Sequence, residues 1–272
     1  MNKSKLARGL VYLGAAITFG VLGYILIFVF VNGIPYIDAD LFAWEYSSEN
    51  VSLMPALITT LYIIGGSLLV ATPVGVFTAI YLVEYADRGN FFVKLISMAT
   101  DTLAAVPSIV YGLFGFLFFV TFLGFQFSLL AGMLTMTIMI LPLIIRSTEE
   151  ALLAVGRPLR EASYALGAGK LRTIFNVVLP VAMPGILSGV ILATGRIIGE
   201  SAALIYTLGS SVNLPDSLLS SGRTLAVHMY VLSSEGFHVN EAYATAVVLV
   251  ILVLVLNGLS TLISRKLVRG GK

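Results

Sequence analysis

Six long apolar stretches, separated by short polar ones, organise this chain: Leu10–Val31, Leu53–Val83, Leu95–Leu123, Phe127–Ile145, Pro184–Leu208 and Ala242–Ile263. Each has about the 20 mainly apolar residues that a helix needs to cross the hydrocarbon layer. None alternates polar and apolar positions over ~10-residue segments, which disfavours a membrane β-barrel. An all-α membrane bundle of six spans is the architecture predicted. Lys3, Lys5 and Arg8 precede the first stretch in the manner of a signal peptide. That stretch is longer than an apolar signal core of about 7–15 residues, and no small-residue cleavage site follows, so an uncleaved first span is expected.

The polar segments are not equivalent. If the N-terminus is cytoplasmic, fourteen of the sixteen basic residues fall on the inside, including Arg88, Arg157, Lys170, Arg172 and Lys272. The outside then holds Arg223 alone, with Arg196 inside a span, and its first loop carries Asp38, Asp40, Glu45 and Glu49. Positive-inside counting therefore predicts both termini in the cytoplasm, with Trp44, Tyr36 and Phe42 near the outer interface. Composition agrees. With 58% hydrophobic and 11% charged residues and a mean hydropathy of +0.99, the chain lacks the charge of a water-soluble domain. The absence of cysteine excludes disulfides and thiolate chemistry, and two histidines make an imidazole metal site improbable. His228 and His238 read as lone surface side chains of the outer loop, and Met133, Met136 and Met139 as packing.

Two loops have substance. The outer one, Gly209–Glu241, contains an amphipathic segment, SGRTLAVHMYVLSSEG, expected to lie along the surface. The inner one, Ser147–Met183, contains RPLREASYALGAGKLRTIFNVVLP. Pro158 suits the first turn of a helix, where its missing N–H is not needed, and Gly167 suits the left-handed position that ends one. A second short helix is expected over Lys170–Val178, ending before Pro180. Leu159, Ala162, Ala165 and Leu166 form a narrow apolar stripe on the first helix, away from Arg160 and Glu161. A two-turn helix does not persist in water without docking. It either packs beneath its own bundle at the membrane surface or inserts as a knob into a partner's groove.

Ionisable residues inside apolar spans are few: Asp101, Arg196 and Glu200, with Arg146 at the inner end of the fourth. Each is costly in lipid and needs water or a partner. Arg196 and Glu200, four apart, are expected on one helix face. They admit two readings: an ion pair that fixes packing, or a guanidinium facing a path taken by an anion, its donor fork matched to phosphate-like oxygens. Gly185, Gly189, Gly195 and Gly199 form small-residue pairs that favour an interior position for this span. Asp101 is expected to snorkel or to cap a helix start. Pro73, Pro107 and Pro142 are expected to kink their helices.

The segment Glu161-Ala162-Ser163, then Gly167, then Val177-x-Leu179-Pro180, resembles the EAA loop of permeases from ATP-driven, binding-protein-dependent importers. Ser163 stands for the second Ala and Val177 for the Ile. IIRSTEEALLAVGRPLREASYALGAGKLRTI, GRIIGESAAL and AAVPSIVYGLFGF together resemble the phosphate branch of that family, the PstA type, over nearly the whole chain. The resemblance implies a type I importer permease fold and no catalytic residues. Glu161, Ala162, Ser163, Gly167, Leu159 and Leu166 would belong to the helix that couples to an ATPase, and Arg196, Glu200 and Arg146 to the substrate path. It implies as partners a second related permease, two ATPases that hold the ATP and Mg, and an external phosphate-binding protein, in a bacterial or archaeal plasma membrane. No cofactor is expected in this chain, which has no GxxxxGK[ST] loop. Permeases for sulfate or molybdate, self-sufficient secondary transporters with inverted repeats and intramembrane enzymes are the competing classes.

Overall fold

The computed structural model describes residues 2–86 and 91–269, and every regular element among them is helical. Arg88 and Lys272, used in the charge count, lie outside the described residues. The helices are α1 (Asn2–Gly33), α2 (Met54–Ile80), α3 (Phe91–Ala105), α4 (Ser108–Gly115), α5 (Leu129–Leu153), α6 (Arg157–Ala165), α7 (Lys170–Thr173), α8 (Leu179–Ile198), α9 (Ala202–Thr207), α10 (Leu225–Glu235) and α11 (Val239–Arg269).

The centre is α5, packed between α2 and α8, with α9 and α11 completing the core. Ile63, Met136, Met139, Ile140, Ile144, Ile197 and Leu204 are fully buried there. The close approach of α8 to α5 is made by glycine. A Cβ on Gly189 would meet the Ser147 side chain at 1.8 Å, and one on Gly185 would meet the Ala151 Cβ at 2.6 Å. Gly195 and Gly199 meet no neighbouring helix in this chain, so only the first of the two expected small-residue pairs works as a helix contact. By contrast α1 runs along α11 with its apolar side chains, Leu10 to Val31, largely uncovered. Such a surface suits lipid or a partner's span.

Three segments depart from the sequence expectation. Among the described residues five helices are unbroken and long and apolar enough to cross a membrane, and a bent pair, counted as one span, makes the sixth. The stretch expected over 95–123 is two helices bent by 106° between Ala105 and Ser108. Pro107 was expected to kink a helix and instead ends it, because it supplies no N–H and drives Val106 away from helical geometry. Pro73 and Pro142 remain inside continuous helices. The second departure is the expected separate helix over Lys170–Val178. A π-helical turn over Ile174–Val178 joins α7 to α8 without interruption, so Lys170–Ile198 is one span. The wider hydrogen-bond ring of that turn absorbs the N–H missing at Pro180. Third, the span expected to reach Leu208 stops at Ile198, and α9 follows a break at Gly199–Ser201.

The two ends of the bundle are built differently. At the end where α2 and α5 begin, the segment 208–224 folds back over α5. The N–H groups of Ser128, Leu129 and Leu130 donate to the carbonyls of Thr207, Ser220 and Leu218 at 3.0, 2.9 and 2.8 Å. Those are helix-start donors that would otherwise have no partner. Ser128 adds its own cap, its Oγ accepting from the Ala131 N–H at 3.2 Å. α10 then packs on α11, and the Leu225 N–H donates to Thr60 Oγ1 of α2 at 2.9 Å. At the opposite end, where α2 and α5 finish, α6 and α7 form a hairpin.

Candidate functional site: a coupling hairpin and a row of intramembrane charges

The hairpin forms as the local sequence requires. Pro158 lies in the first turn of α6. At its end Gly167 has φ +81°, with its N–H donating to the Tyr164 carbonyl at 2.9 Å and the Ala168 N–H to the Ser163 carbonyl at 3.2 Å. These two crossed bonds are a Schellman cap. No residue of α6 is buried. Glu161 and Ala162 are exposed, Leu159 is 41% exposed and Leu166, just past the last turn, 89%. Ser163 has an internal role as well, its Oγ lying 2.9 Å from Thr173 Oγ1 across the hairpin. The apolar stripe of this helix faces away from its own bundle.

The intramembrane charges are arranged by the broken helix. Asp101 of α3 pairs with Arg146 of α5, and Arg146 Nη1 also lies 3.3 Å from Glu149 Oε2. Asp101 therefore neither snorkels nor caps; it joins α3 to α5. Both Asp101 and Arg146 stay about half-exposed, and Arg146 and Glu149 line a cavity of about 250 Å³ with Leu82, Val83, Ala86 and Leu153. Past the 106° bend, Tyr111 of α4 is buried, and its hydroxyl donates to the Leu103 carbonyl at 2.6 Å. Tyr111 lies within electrostatic range of Arg196, in the last turn of α8. The broken helix thus runs from one site arginine to the other.

Glu200 does not share a helix face with Arg196, because α8 ends at Ile198 between them. Its Oε1 accepts from the Ala203 N–H at 3.1 Å, capping the start of α9. No ion pair joins Arg196 to Glu200, and no carboxylate lies within ion-pair distance of Arg196, among the described residues. The expectation of a shared face fails because helical periodicity was extended across Gly199. A second cavity, about 330 Å³ beside Gly199 and Ser201, is lined mainly by apolar groups such as Met229, Tyr230 and Tyr243 and holds no cation.

Two residues passed over in the sequence matter here. Arg160, read there as lying off the apolar stripe, is hydrogen-bonded to Glu84, Leu152 and Val155. His228, read as a surface side chain, is fully buried. Burial and the nearby Arg223 guanidinium push its pKa down to about 3. Neither ring nitrogen makes a hydrogen bond of good geometry, although the Val51 backbone is near enough to act on the ring. Arg223 is 4% exposed, stacks over Tyr46 at 4.8 Å and has an unpaired Nη2; burial lowers its pKa. The alternation of SGRTLAVHMYV suggested a surface helix. The tertiary fold instead covers Leu225, Ala226, Val227, His228 and Leu232, leaving Tyr230, Ser233, Ser234 and Glu235 exposed.

A bundle with an outward-facing hairpin at one end and a broken helix lined with charges is the architecture of an importer permease subunit. The chain belongs to the family of binding-protein-dependent transport system inner membrane components, which matches residues 71–270. It is 34% identical to the probable ABC transporter permease protein YqgI of Bacillus subtilis, over 97% of each chain. It is also 34% identical to the phosphate transport system permease protein PstA of Haemophilus influenzae, over 93% of this chain and 91% of that one. In fold it is similar to a chain of a bacterial ABC transporter involved in the import of the acidic polysaccharide alginate. That match has a TM-score of 0.67 and 17% identity, covering 94% and 96% of the two chains. A chain of the inward-facing MetNI methionine transporter matches with a TM-score of 0.61 and 23% identity, over 79% of this chain and 94% of that one. The protein is thus a multi-pass membrane permease subunit of an ABC importer, with the type I permease fold.

Proposed function

We propose that this permease conducts inorganic phosphate as the PstA-type half of a heteromeric pore. In this reading a second related permease completes the path. Two ATPases, which hold the ATP and Mg, seat on Glu161, Ala162, Ser163, Gly167, Leu159 and Leu166. An external phosphate-binding protein delivers substrate at the α10 end. Both termini and the α6–α7 hairpin are cytoplasmic, and the chain itself needs no cofactor. The observation that carries the substrate is the similarity, over nearly the full length, to a phosphate permease. The state of Arg196 supports it: a cation on a membrane span with no carboxylate beside it has charge to offer a passing anion. Arg146 is different. It is already held by Asp101 and Glu149, so an anion leaving at that end meets a cation that carboxylates compete for, and release is favoured over tight binding.

The test is uptake by the complete complex in proteoliposomes. With labelled phosphate and loaded binding protein, Arg196→Gln should lower uptake by at least tenfold, the order expected from removing a charge-assisted contact, while assembly is unchanged. Arg196→Lys should recover part of it, since the charge stays but the fork is lost. Wild-type phosphate uptake by assembled Arg196→Gln would remove Arg196 from the path. Uptake of sulfate or molybdate in preference to phosphate by the wild-type complex would overturn the substrate assignment.

A further inference from the structure

α6 itself buries no side chain, whereas the stretch that follows it packs Ile174 and Val178 into a core with Leu152 and Val155. Arg160 supplies what packing does not. Its side chain is 16% exposed and that of its partner Glu84 is 7%. Nε and Nη2 donate to Glu84 Oε1 at 3.2 and 3.0 Å, Nη1 to the Val155 carbonyl at 2.5 Å, and Nη2 also to the Leu152 carbonyl at 2.9 Å. Glu84 sits in the π-helical turn Tyr81–Tyr85 that ends α2. The Leu152 and Val155 carbonyls belong to the end of α5, where helix carbonyls lack intrahelical partners and the helix dipole favours a cation. One guanidinium therefore joins the hairpin to both α2 and α5. Lys170 adds a tether to the same turn of α2, its Nζ lying 4.4 Å from the centre of the Tyr85 ring.

We infer that Arg160 is the positioning residue through which displacement of α6 reaches the bundle, with Glu84 as its anchor on α2. This rests on the reading of α6 as the ATPase-coupling helix. α6 is tied to the spans by its short links to α5 and α7 and by these directional bonds, and the bonds fix its orientation. A planar guanidinium bonded in three directions resists rotation where a flexible ammonium does not. Because α2 and α5 pack closely together, they move as a unit when α6 is displaced. On α5 that unit carries Arg146 and Glu149, the charged lining of the cavity at this end.

The test uses the full complex, reading assembly, ATP hydrolysis stimulated by loaded binding protein, and phosphate carried per ATP. Arg160→Gln should assemble and hydrolyse ATP, yet carry about tenfold less phosphate per ATP, since a buried ion pair is broken at its centre. Glu84→Gln should do the same. The double variant should be no worse than either single one, because one contact is lost in all three. Should Arg160→Gln fail to assemble, Arg160→Lys decides: a reduced ratio supports the role, and a wild-type ratio overturns it. Additive losses in the double variant would also overturn it. Gly167→Val is the control for the coupling reading. If Gly167→Val uncouples the complex while Arg160→Gln does not, the strut alone is wrong. If Gly167→Val leaves the ratio intact, the coupling role of the hairpin falls, and the strut with it.

Discussion

The α6 hairpin and the α10 cap sit at opposite ends of the same two spans, α2 and α5, and solve opposite problems. α10 hides Leu225, Ala226, Val227, His228 and Leu232. It also takes in two groups that gain nothing from burial, the unpaired Nη2 of Arg223 and the ring of His228. α6 hides none of its side chains and is held by hydrogen bonds and one ion pair. The first end is built to stay closed on itself, at the cost of poorly satisfied polar groups. The second leaves its apolar residues uncovered and holds α6 by polar contacts, which fix direction without consuming the apolar surface.

Stability measurements on the detergent-solubilised chain sharpen this contrast. The largest effect is expected at Leu225, fully buried where α10 meets α2 and α11. Leu225→Ala should cost about 2–5 kcal/mol, as cavity-forming substitutions do, and lower the thermal midpoint accordingly. A midpoint within error of wild type would mean that the α10 cap is not part of the cooperative unit.

A pH dependence follows next. With its pKa lowered to about 3, His228 stays neutral in the folded protein, while an unfolded histidine binds a proton below about pH 6.5. Between those values the unfolded state holds the extra proton, so stability falls as the pH falls, by up to about 1.4 kcal/mol per pH unit. Thermal midpoints at pH 7 and pH 5 measure it, and His228→Gln should flatten the difference. The same slope in both proteins would show that His228 is not the group responsible.

The smallest stability effect is expected at Leu166. Leu166→Ala should change the stability by less than about 0.5 kcal/mol, as at other uncovered positions, leaving the midpoint nearly unmoved, yet weaken capture of the ATPase in co-purification. A destabilised chain that binds the ATPase normally would reverse the contrast, making the knob a structural element.

What the residues displayed in order and what they concealed divide along physical lines. The apolar runs show the spans because the bilayer imposes a length that local composition can meet. The hairpin is legible down to its cap because Pro158 and Gly167 act through their own backbones: one lacks an N–H, the other tolerates φ +81°. The resemblance to the permease family is legible in the spacing Glu161-Ala162-Ser163, Gly167, Leu179-Pro180, and the family match over residues 71–270 shows the membership. Periodicity fails where a helix stops without an obvious signal, as at Gly199, and so it placed Arg196 and Glu200 on a face that does not exist. It fails at Pro107 and Pro180 too, since whether a proline breaks a helix or is absorbed by a π-helical turn depends on what the freed carbonyls find nearby. Which charges meet was decided only in three dimensions. Asp101 lies 45 residues from Arg146, and Glu84 lies 76 from Arg160. Nothing local in the chain encodes those distances. The packing of α3 against α5, and the folding of the hairpin beneath the ends of α2 and α5, bring each carboxylate to its arginine, because in a low-dielectric setting a charge without a partner is the costlier alternative.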